Sequence, residues 1–438
     1  MSHAVDRYIT RNARRAVALL QDTVRIPTEN PPGVRYIECA RLLASQLKNA
    51  GLETRLVAAP AAAQRRALPE ASANPRTNVV GFLDAGARRT LHFNAHYDVV
   101  PVSGKWKFGP FEPRRSGDWI YGRGTSDMKG SIAALIHALE AVSATRSRPH
   151  CNIEVSFTAD EETDSRFGAD WLTRHGRLRA DYALVMEGAT GRSICCGHNG
   201  CLWFEISIVG KSAHGSTPER GVNALEQLAV LLVELQSYKK LIGTRTFNAP
   251  DGRVMRPTVN FGGVFGGNTG GKVNTVPGLA SFTVDRRVLP GEDTATAERE
   301  FRECVAAAAR RIPDIRVRVE KFTESVALFS PPDTPFFQSV ASSLRRVRRT
   351  PAVPWVASGF NDMHFFSRNL GIPVAGYGPA GENDHGVDER VSVKDLITVS
   401  RIYADVMLTL RGLQRPPRPV CSATCCKHPA REYSRRAP

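Results

Sequence analysis

No run of about 20 apolar residues occurs in this chain of 438 residues, which excludes a membrane-spanning helix. A continuous apolar stretch of the secretory kind is also missing near the start, where Arg7, Arg11, Arg14 and Arg15 surround an amphipathic helix pattern. The nine cysteines lack zinc-ribbon spacing: Cys39, Cys151 and Cys304 stand alone, and Cys195, Cys196 and Cys201 cluster. An odd count without a signal leads us to expect reduced thiols and a cytoplasmic protein. The glycine pairs Gly262-Gly263, Gly266-Gly267 and Gly270-Gly271 lead into Lys272, but Val273 follows where a phosphate cradle needs Ser or Thr. Acidic residues are outnumbered, 43 against 59 Lys and Arg, for a net charge of +16. No nucleic-acid motif or aromatic-interleaved basic array accompanies that excess, so no nucleic-acid partner is expected. Attraction of anionic substrates and nonspecific polyanion binding both remain open.

What is present is a scattered set of acids and histidines at the ends of strand-like or turn-like segments: His96, Asp98, Asp127, Glu161, Glu162, Glu187 and His385. Leu91 to Asp98 is a short alternating run, which puts His96 and Asp98 on one side of a strand. That spacing suits an imidazole that binds a metal while its other nitrogen donates to a carboxylate. Asp127 sits in the glycine-rich turn Gly122 to Gly130, before a helix pattern with Ile132, Leu135, Ile136, Leu139 and Val142 on one face. A strand from Ile153 to Asp160 delivers Glu161 and Glu162. On extended backbone these two point opposite ways, one toward metal and one toward water. Together the residues read as a two-metal hydrolytic site.

These segments resemble the M20-type metallopeptidase and deacylase family that includes acetylornithine deacetylase, succinyl-diaminopimelate desuccinylase, aminoacylase-1 and the glutamate-releasing carboxypeptidases. The match runs from Ile26-Pro27-Thr28-Glu29-Asn30-Pro31-Pro32-Gly33 through the segments above. It continues at Gly210-Lys211-Ser212-Ala213-His214-Gly215, Val273-Asn274-Thr275-Val276-Pro277-Gly278, Asp285-Arg286-Arg287 and His385.

The resemblance implies two divalent ions, zinc first, with cobalt or manganese as substitutes. His96, Asp127 and Glu187 hold one, and Glu162 and His385 hold the other, with Asp127 as the bridge. Three carboxylates against two divalent ions leave one positive charge, which a bridging hydroxide balances. Glu161 is then the general base and Asp98 the partner behind His96. His214, from an inserted domain, reaches a partner chain's site to stabilise the tetrahedral intermediate. Asn274 and Arg287 hold a substrate carboxylate, with Arg286 as the neighbouring alternative. Two departures stand out. Gly188 replaces a frequent proline after Glu187, and Ser358-Gly359-Phe360-Asn361-Asp362 stands where many relatives have Gly-Gly-Thr-Asp. Of the other histidines, His92 reads as packed within the sheet and His364 as a candidate for the pocket.

Strands alternate with helices to about residue 198, as in an α/β domain with a mostly parallel sheet and its ligands at the strands' carboxyl edge. From 199 to 320 the pattern becomes that of an inserted α+β lid or dimerisation domain, with Leu225, Leu228, Leu232 and Leu235 on one helix face. Residues 321–413 return to the first domain. Residues 414–438, with Cys421, Cys425, Cys426 and His428, read as a disordered basic tail rather than a metal site. The expected activity is a zinc-dependent amidohydrolase acting on an N-acyl amino acid with a free carboxylate, as a homodimer. The alternatives are a dipeptidase on the same metal site and a noncatalytic metal-containing binding protein.

Overall fold

The strand Thr90–His96 is buried on both faces: Leu91, Phe93 and Ala95 on one, His92 and Asn94 on the other. Such a strand has to run mid-sheet between two helical layers. The computed structural model describes residues 3–68, 71, 73–267 and 271–412, so the tail from 414 lies outside the described residues. In chain order the principal strands begin with β1 (Glu53–Ala58), β2 (Thr77–Leu83), β3 (Thr90–His96), β4 (Asn152–Thr158), β5 (Tyr182–Val185) and β6 (Ser193–His198). Four longer ones follow, β7 (Gly200–Val209), β8 (Thr258–Gly267), β9 (Leu279–Val288) and β10 (Val317–Ser325). The last three are β11 (Leu328–Phe329), β12 (Val353–Ala357) and β13 (Val374–Gly376).

The main sheet has nine strands in the order β1-β2-β4-β3-β5-β13-β6-β11, with β12 also on β6. Its middle, β4-β3-β5-β13, is parallel, whereas β1, β2 and β11 pair antiparallel and β6 meets β13 antiparallel. The sheet is thus mixed, with the expected parallel arrangement confined mainly to its centre. Because β3, β4 and β5 run the same way, the residues after them emerge at one edge. The helix Gly130–Ala144 carries the predicted apolar face, but its opposite face is buried too, through Ala133, Ala134, Ala138 and Ala141. It lies between the sheet and the helix Val393–Thr409, so the alanines pack rather than face water.

The segment from β7 to β10 builds a second sheet, order β8-β9-β7-β10, all antiparallel. It has its own apolar core, in which Phe204, Ile206, Phe282 and Val284 meet the helices Ala224–Glu234 and Thr294–Ala309. β10 runs on to Ser325, so the boundary expected at 320 falls inside a strand. The helix Ala224–Glu234 buries Ala224, Leu228 and Leu231, Leu235 is buried just after it and Leu232 packs on the same core, so of the expected stripe only Leu225 is exposed. Its outer side also carries Leu225, Val230 and Val233, so apolar periodicity could not choose between the faces. Among the described residues, no helix is long and apolar enough to cross a membrane.

Candidate metal centre

His96 ends β3 with its ring fully buried. Its Nδ1 lies 3.0 Å from the backbone carbonyl of Asp98, so a neutral ring donates there and turns the Nε2 lone pair outward. That lone pair faces Asp127 Oδ1 at 3.1 Å and Glu161 Oε2 at 3.8 Å. The other oxygen of Asp127 lies 3.2 Å from His385 Nε2, which is also 3.2 Å from Glu162 Oε2. One carboxylate therefore divides its oxygens between two imidazoles.

The Asp98 carboxylate is 3.6 Å from His96 Nδ1, while the closer contacts it makes are with the turn carrying the glutamates. It accepts the backbone N–H of Glu161 at 3.2 Å and of Glu162 at 3.1 Å, and the Asn30 amide at 2.9 Å. Those glutamates do not follow one another on extended chain. β4 ends at Thr158, Asp160 takes a left-handed conformation (φ 76°), and Glu161–Thr163 form a 3-10 turn. The argument from opposed strand faces is corrected accordingly: a helical turn places successive side chains about a third of a revolution apart. Glu161 and Glu162 both reach within 4.8 Å of His96. Behind the turn, Arg76 pairs with Asp160 at 3.0 Å, both buried.

Asp127 is positioned by a loop that begins at Gly124 (φ 81°). The buried Glu389 collects the N–H groups of Gly124 (2.9 Å), Ser126 (2.9 Å) and Asp127 (3.1 Å), and accepts from Arg123 Nη1 at 2.7 Å. Arg123 Nη2 donates to the His385 carbonyl at 3.2 Å, so one buried pair ties the Asp127 loop to the His385 loop. In the sequence Glu389 reads only as supporting context for His385 and Arg123 as part of the glycine-rich turn; the fold brings position 123 to position 389.

Glu187 follows β5, and the two sequence departures meet beside it. Gly188 has φ 86°, which proline cannot adopt, and a Cβ there would lie 2.7 Å from Asn361 Nδ2. Asp362, next along, hydrogen-bonds to Ser165 and belongs to the same acidic group. His364 is buried, with Nδ1 2.7 Å from the Asn361 carbonyl and its ring edge against His198. His92 is packed within the sheet between Glu154 and Ser156.

The electrostatics are those of an anionic cluster. Burial, with Glu187 close by, pushes the Glu161 carboxyl well above the usual range; burial does the same to Glu187, with Asp127 and Asp362 adding repulsion. Burial also favours neutral Asp127, but the His385 and His96 imidazoles override it and hold this carboxyl low. Asp127 and Glu162 lift His385 to about 10. Buried Oε1 atoms of Glu162 and Glu187 have no hydrogen-bond partner. One donor atom each from His96, Asp127 and Glu187 fits within 4.8 Å, and the same holds for Asp127, Glu162 and His385. Nitrogen and carboxylate donors with orphaned oxygens, in two groups sharing Asp127, fit a pair of divalent cations.

The profile of peptidase family M20/M25/M40 matches residues 92–409. The chain belongs to that family. A succinyl-diaminopimelate desuccinylase of Gluconacetobacter diazotrophicus is 30% identical over 332 residues, covering 74% of this chain and 81% of that protein. A di-peptidase of Saccharomyces cerevisiae has the same fold, with a TM-score of 0.76 at 15% identity over 93% of this chain and 98% of its own. The YXEP protein of Bacillus subtilis, a dinuclear metal binding peptidase of the M20 family, aligns with a TM-score of 0.61 at 14% identity, over 90% of this chain and 97% of its own. This M20 chain is a hydrolase of amide bonds.

The residues of the second sheet divide between its two ends. Arg287 lies at the end of β9 nearest the main sheet, opposite Cys201. Its guanidinium pairs with Asp285 at 2.9 Å and lies 5.7 Å from the Phe360 ring. Arg286 is committed elsewhere, buried against Glu292 (2.9 Å) and the Tyr238 hydroxyl (3.2 Å). His214 and Asn274 lie beyond the far end, past Leu279. His214 pairs with Thr275, and the Gly215 N–H donates to the Asn274 carbonyl at 2.6 Å. From Arg287 to Leu279 the strand spans about 26 Å, at roughly 3.3 Å per residue.

Proposed function

We propose that the chain removes the acyl group from an N-acyl amino acid with a free carboxylate, using two zinc ions. His96, Asp127 and Glu187 hold one, and Asp127, Glu162 and His385 the other. The reading rests on the Asp127 carboxylate, whose oxygens face two different imidazoles as a bridging ligand requires. Donors of nitrogen and carboxylate oxygen without thiolate favour zinc, with cobalt or manganese as substitutes. When bound, the two ions polarise the scissile carbonyl and lower the pKa of water.

Glu161 takes the proton of the attacking water and passes it to the departing amine nitrogen, a task worth roughly 10²–10⁴-fold. Asp98 supports it by fixing both the His96 ring and the backbone of the Glu161 turn. His214 donates to the oxyanion, and such a donor is worth about 2.7–4 kcal/mol of barrier. Arg287 grips the substrate carboxylate with two parallel bonds and Asn274 adds an amide.

His214 and Asn274 serve the site of a second copy in a homodimer. What supports this is their separation from Arg287 along β9 and the character of the insert's outer surface. The edge strand β8 exposes Val264 (68%) and Phe265 (82%), and the neighbouring helix exposes Leu225 and Val233. An unpaired edge with apolar side chains is a surface that a second chain covers. The inserted domain is taken as 199 to 325, with the rest of the described chain as the catalytic body. A cytoplasmic location suits the thiols: burial pushes Cys39 to about 11 and Cys195 to about 12, which makes them inert.

The test is amine release by the zinc-loaded protein across N-acetyl, N-succinyl, N-aromatic-acyl and dipeptide substrates, with Glu161→Ala alongside. Metal-dependent turnover of acyl amino acids, lost in the variant, is expected. Turnover of dipeptides alone would replace deacylation with peptidase action, and no turnover of any amide would overturn the reading.

A further inference from the structure

From Ser281 to Arg287, the β9 side chains that alternate away from the core of the second sheet are polar: Ser281, Thr283, Asp285 and Arg287. On the same open face β7 presents Ser207 and Glu205, and then breaks the pattern with Trp203, directly opposite Asp285. Phe322 breaks it again. It sits at the bulge between Lys321 and Thr323 of β10, 46% exposed, with its ring 6.1 Å from that of Trp203. The third ring comes from the body. Phe360 lies 6.0 Å from Trp203, at 67° between the ring planes, and 5.7 Å from the Arg287 guanidinium. Three aromatic rings, two from the insert and one from the body, thus gather beside Arg287 on an otherwise polar face.

The Trp203 indole N–H donates to Asp285 Oδ1 at 2.9 Å, so its one polar group is satisfied and the ring is left to apolar contacts. The other oxygen of that carboxylate accepts from Arg287 Nη2 at 2.9 Å. Asp285 therefore fixes the indole beside the guanidinium. Phe360 belongs to one of the two departures noted in the sequence, and its neighbour Asn361 stands against Gly188, next to Glu187. The ring thus lies on the loop that joins Arg287 to the metal centre. Aromatic surface left in water is apolar burial that folding has not used, and an apolar group that covers it gains that burial on binding.

A carboxylate held on Arg287 belongs to an amino acid whose side chain leaves the carbon next to it. We propose that Trp203, Phe322 and Phe360 receive that side chain, so that the preferred substrates are N-acyl derivatives of aromatic or large apolar amino acids. The inference rests on the amide-hydrolase reading above and on Arg287 as the carboxylate anchor. Phe360 is the ring that both the guanidinium and the indole flank, so it sets where the side chain lies relative to the anchor. A short or charged side chain leaves the rings wet and gains nothing from them.

Calorimetry of the zinc-loaded protein with 3-phenylpropanoate and with propanoate, which share a carboxylate and differ by one phenyl group, tests the aromatic wall without turnover. The wild type binds phenylpropanoate about 10–100-fold more tightly, the gain expected from burying one ring. Phe322→Ala, at an exposed position, and Phe360→Gly each narrow that ratio. Equal binding by the wild type, or an unchanged ratio in both variants, overturns the wall. Kinetics then place the side chain. N-acetyl-phenylalanine is expected to exceed N-acetyl-alanine in kcat/KM by a similar factor, which the same variants reduce. A loss common to both substrates, with the ratio kept, would make the rings a contact between domains only and overturn the proposal. A preference for N-benzoylglycine over N-acetylglycine that the variants abolish would put the ring on the acyl group and overturn the side-chain assignment. Failure to hydrolyse any amide refutes the proposed function, while phenylpropanoate binding still decides the wall.

Discussion

Glu389 accepts the backbone N–H of Asp127 at 3.1 Å, and through Arg123 the same carboxylate is tied to the carbonyl of His385. Asp127 and His385 are 258 positions apart in sequence, yet their oxygen and nitrogen meet at 3.2 Å. The clamp holds the Asp127 loop through protein groups, a carboxylate gathering three backbone N–H groups and one guanidinium.

Glu389→Gln keeps the shape but replaces one accepting oxygen with an N–H donor facing backbone N–H groups. Zinc affinity, read by competition with a chromogenic chelator, is expected to fall about 10–100-fold, the usual effect of losing a group that orients a ligand. Unchanged affinity would mean that the loop holds its shape without the clamp.

Glu161→Gln preserves volume and removes the base. Turnover is expected to drop roughly 10²–10⁴-fold while both zinc ions stay bound. Metal analysis beside steady-state kinetics separates this outcome from one in which Glu161 serves as a ligand, where zinc would be lost with activity.

Mixing Glu161→Gln with His214→Ala chains tests whether His214 works across a dimer. Neither variant alone turns over at the wild-type rate, but random pairing gives hybrids with one intact site, restoring about a quarter of the activity. No recovery after subunit exchange would confine His214 to its own chain.

Asp164 gives stability a pH dependence. Burial, followed by repulsion from Asp170 and Asp160, pushes its carboxyl to about 7. A folded value above the unfolded one of about 3.9 means that the protonated fold is favoured. Its stabilising effect is complete below about pH 4 and is lost as pH rises through about 7. Asp164→Asn stays uncharged, and asparagine tolerates the local φ of 99°. The variant should melt above wild type at pH 8 by an amount that shrinks toward pH 4, on the order of 2–4 kcal/mol between the extremes. A gap independent of pH would remove Asp164 as the cause.

The alternating run through His96, the glycine turn before Asp127, the paired glutamates and the strand ending at Glu187 were legible one segment at a time. Each is a local pattern, and their order along the chain pointed to M20 before any contact was known. Geometry that depends on long-range closure was not legible. The Glu161-Glu162 pair sits on a turn because Asp98 pulls both N–H groups inward, and the buried face of the helix Ala224–Glu234 was chosen by its sheet. Gly188 and Asn361 looked like separate departures until the fold set them side by side, with the Asn361 amide where a Cβ on residue 188 would have to fit. Glu389 stood out only as a neighbour of His385, and its role was not legible, since a carboxylate that gathers backbone N–H groups has no composition or period of its own. Residue chemistry and local period follow from the chain alone, because they depend on neighbours in sequence. Which groups share a charge, a clamp or a cavity is decided by tertiary structure, because burial and Coulomb energy depend only on distance in space.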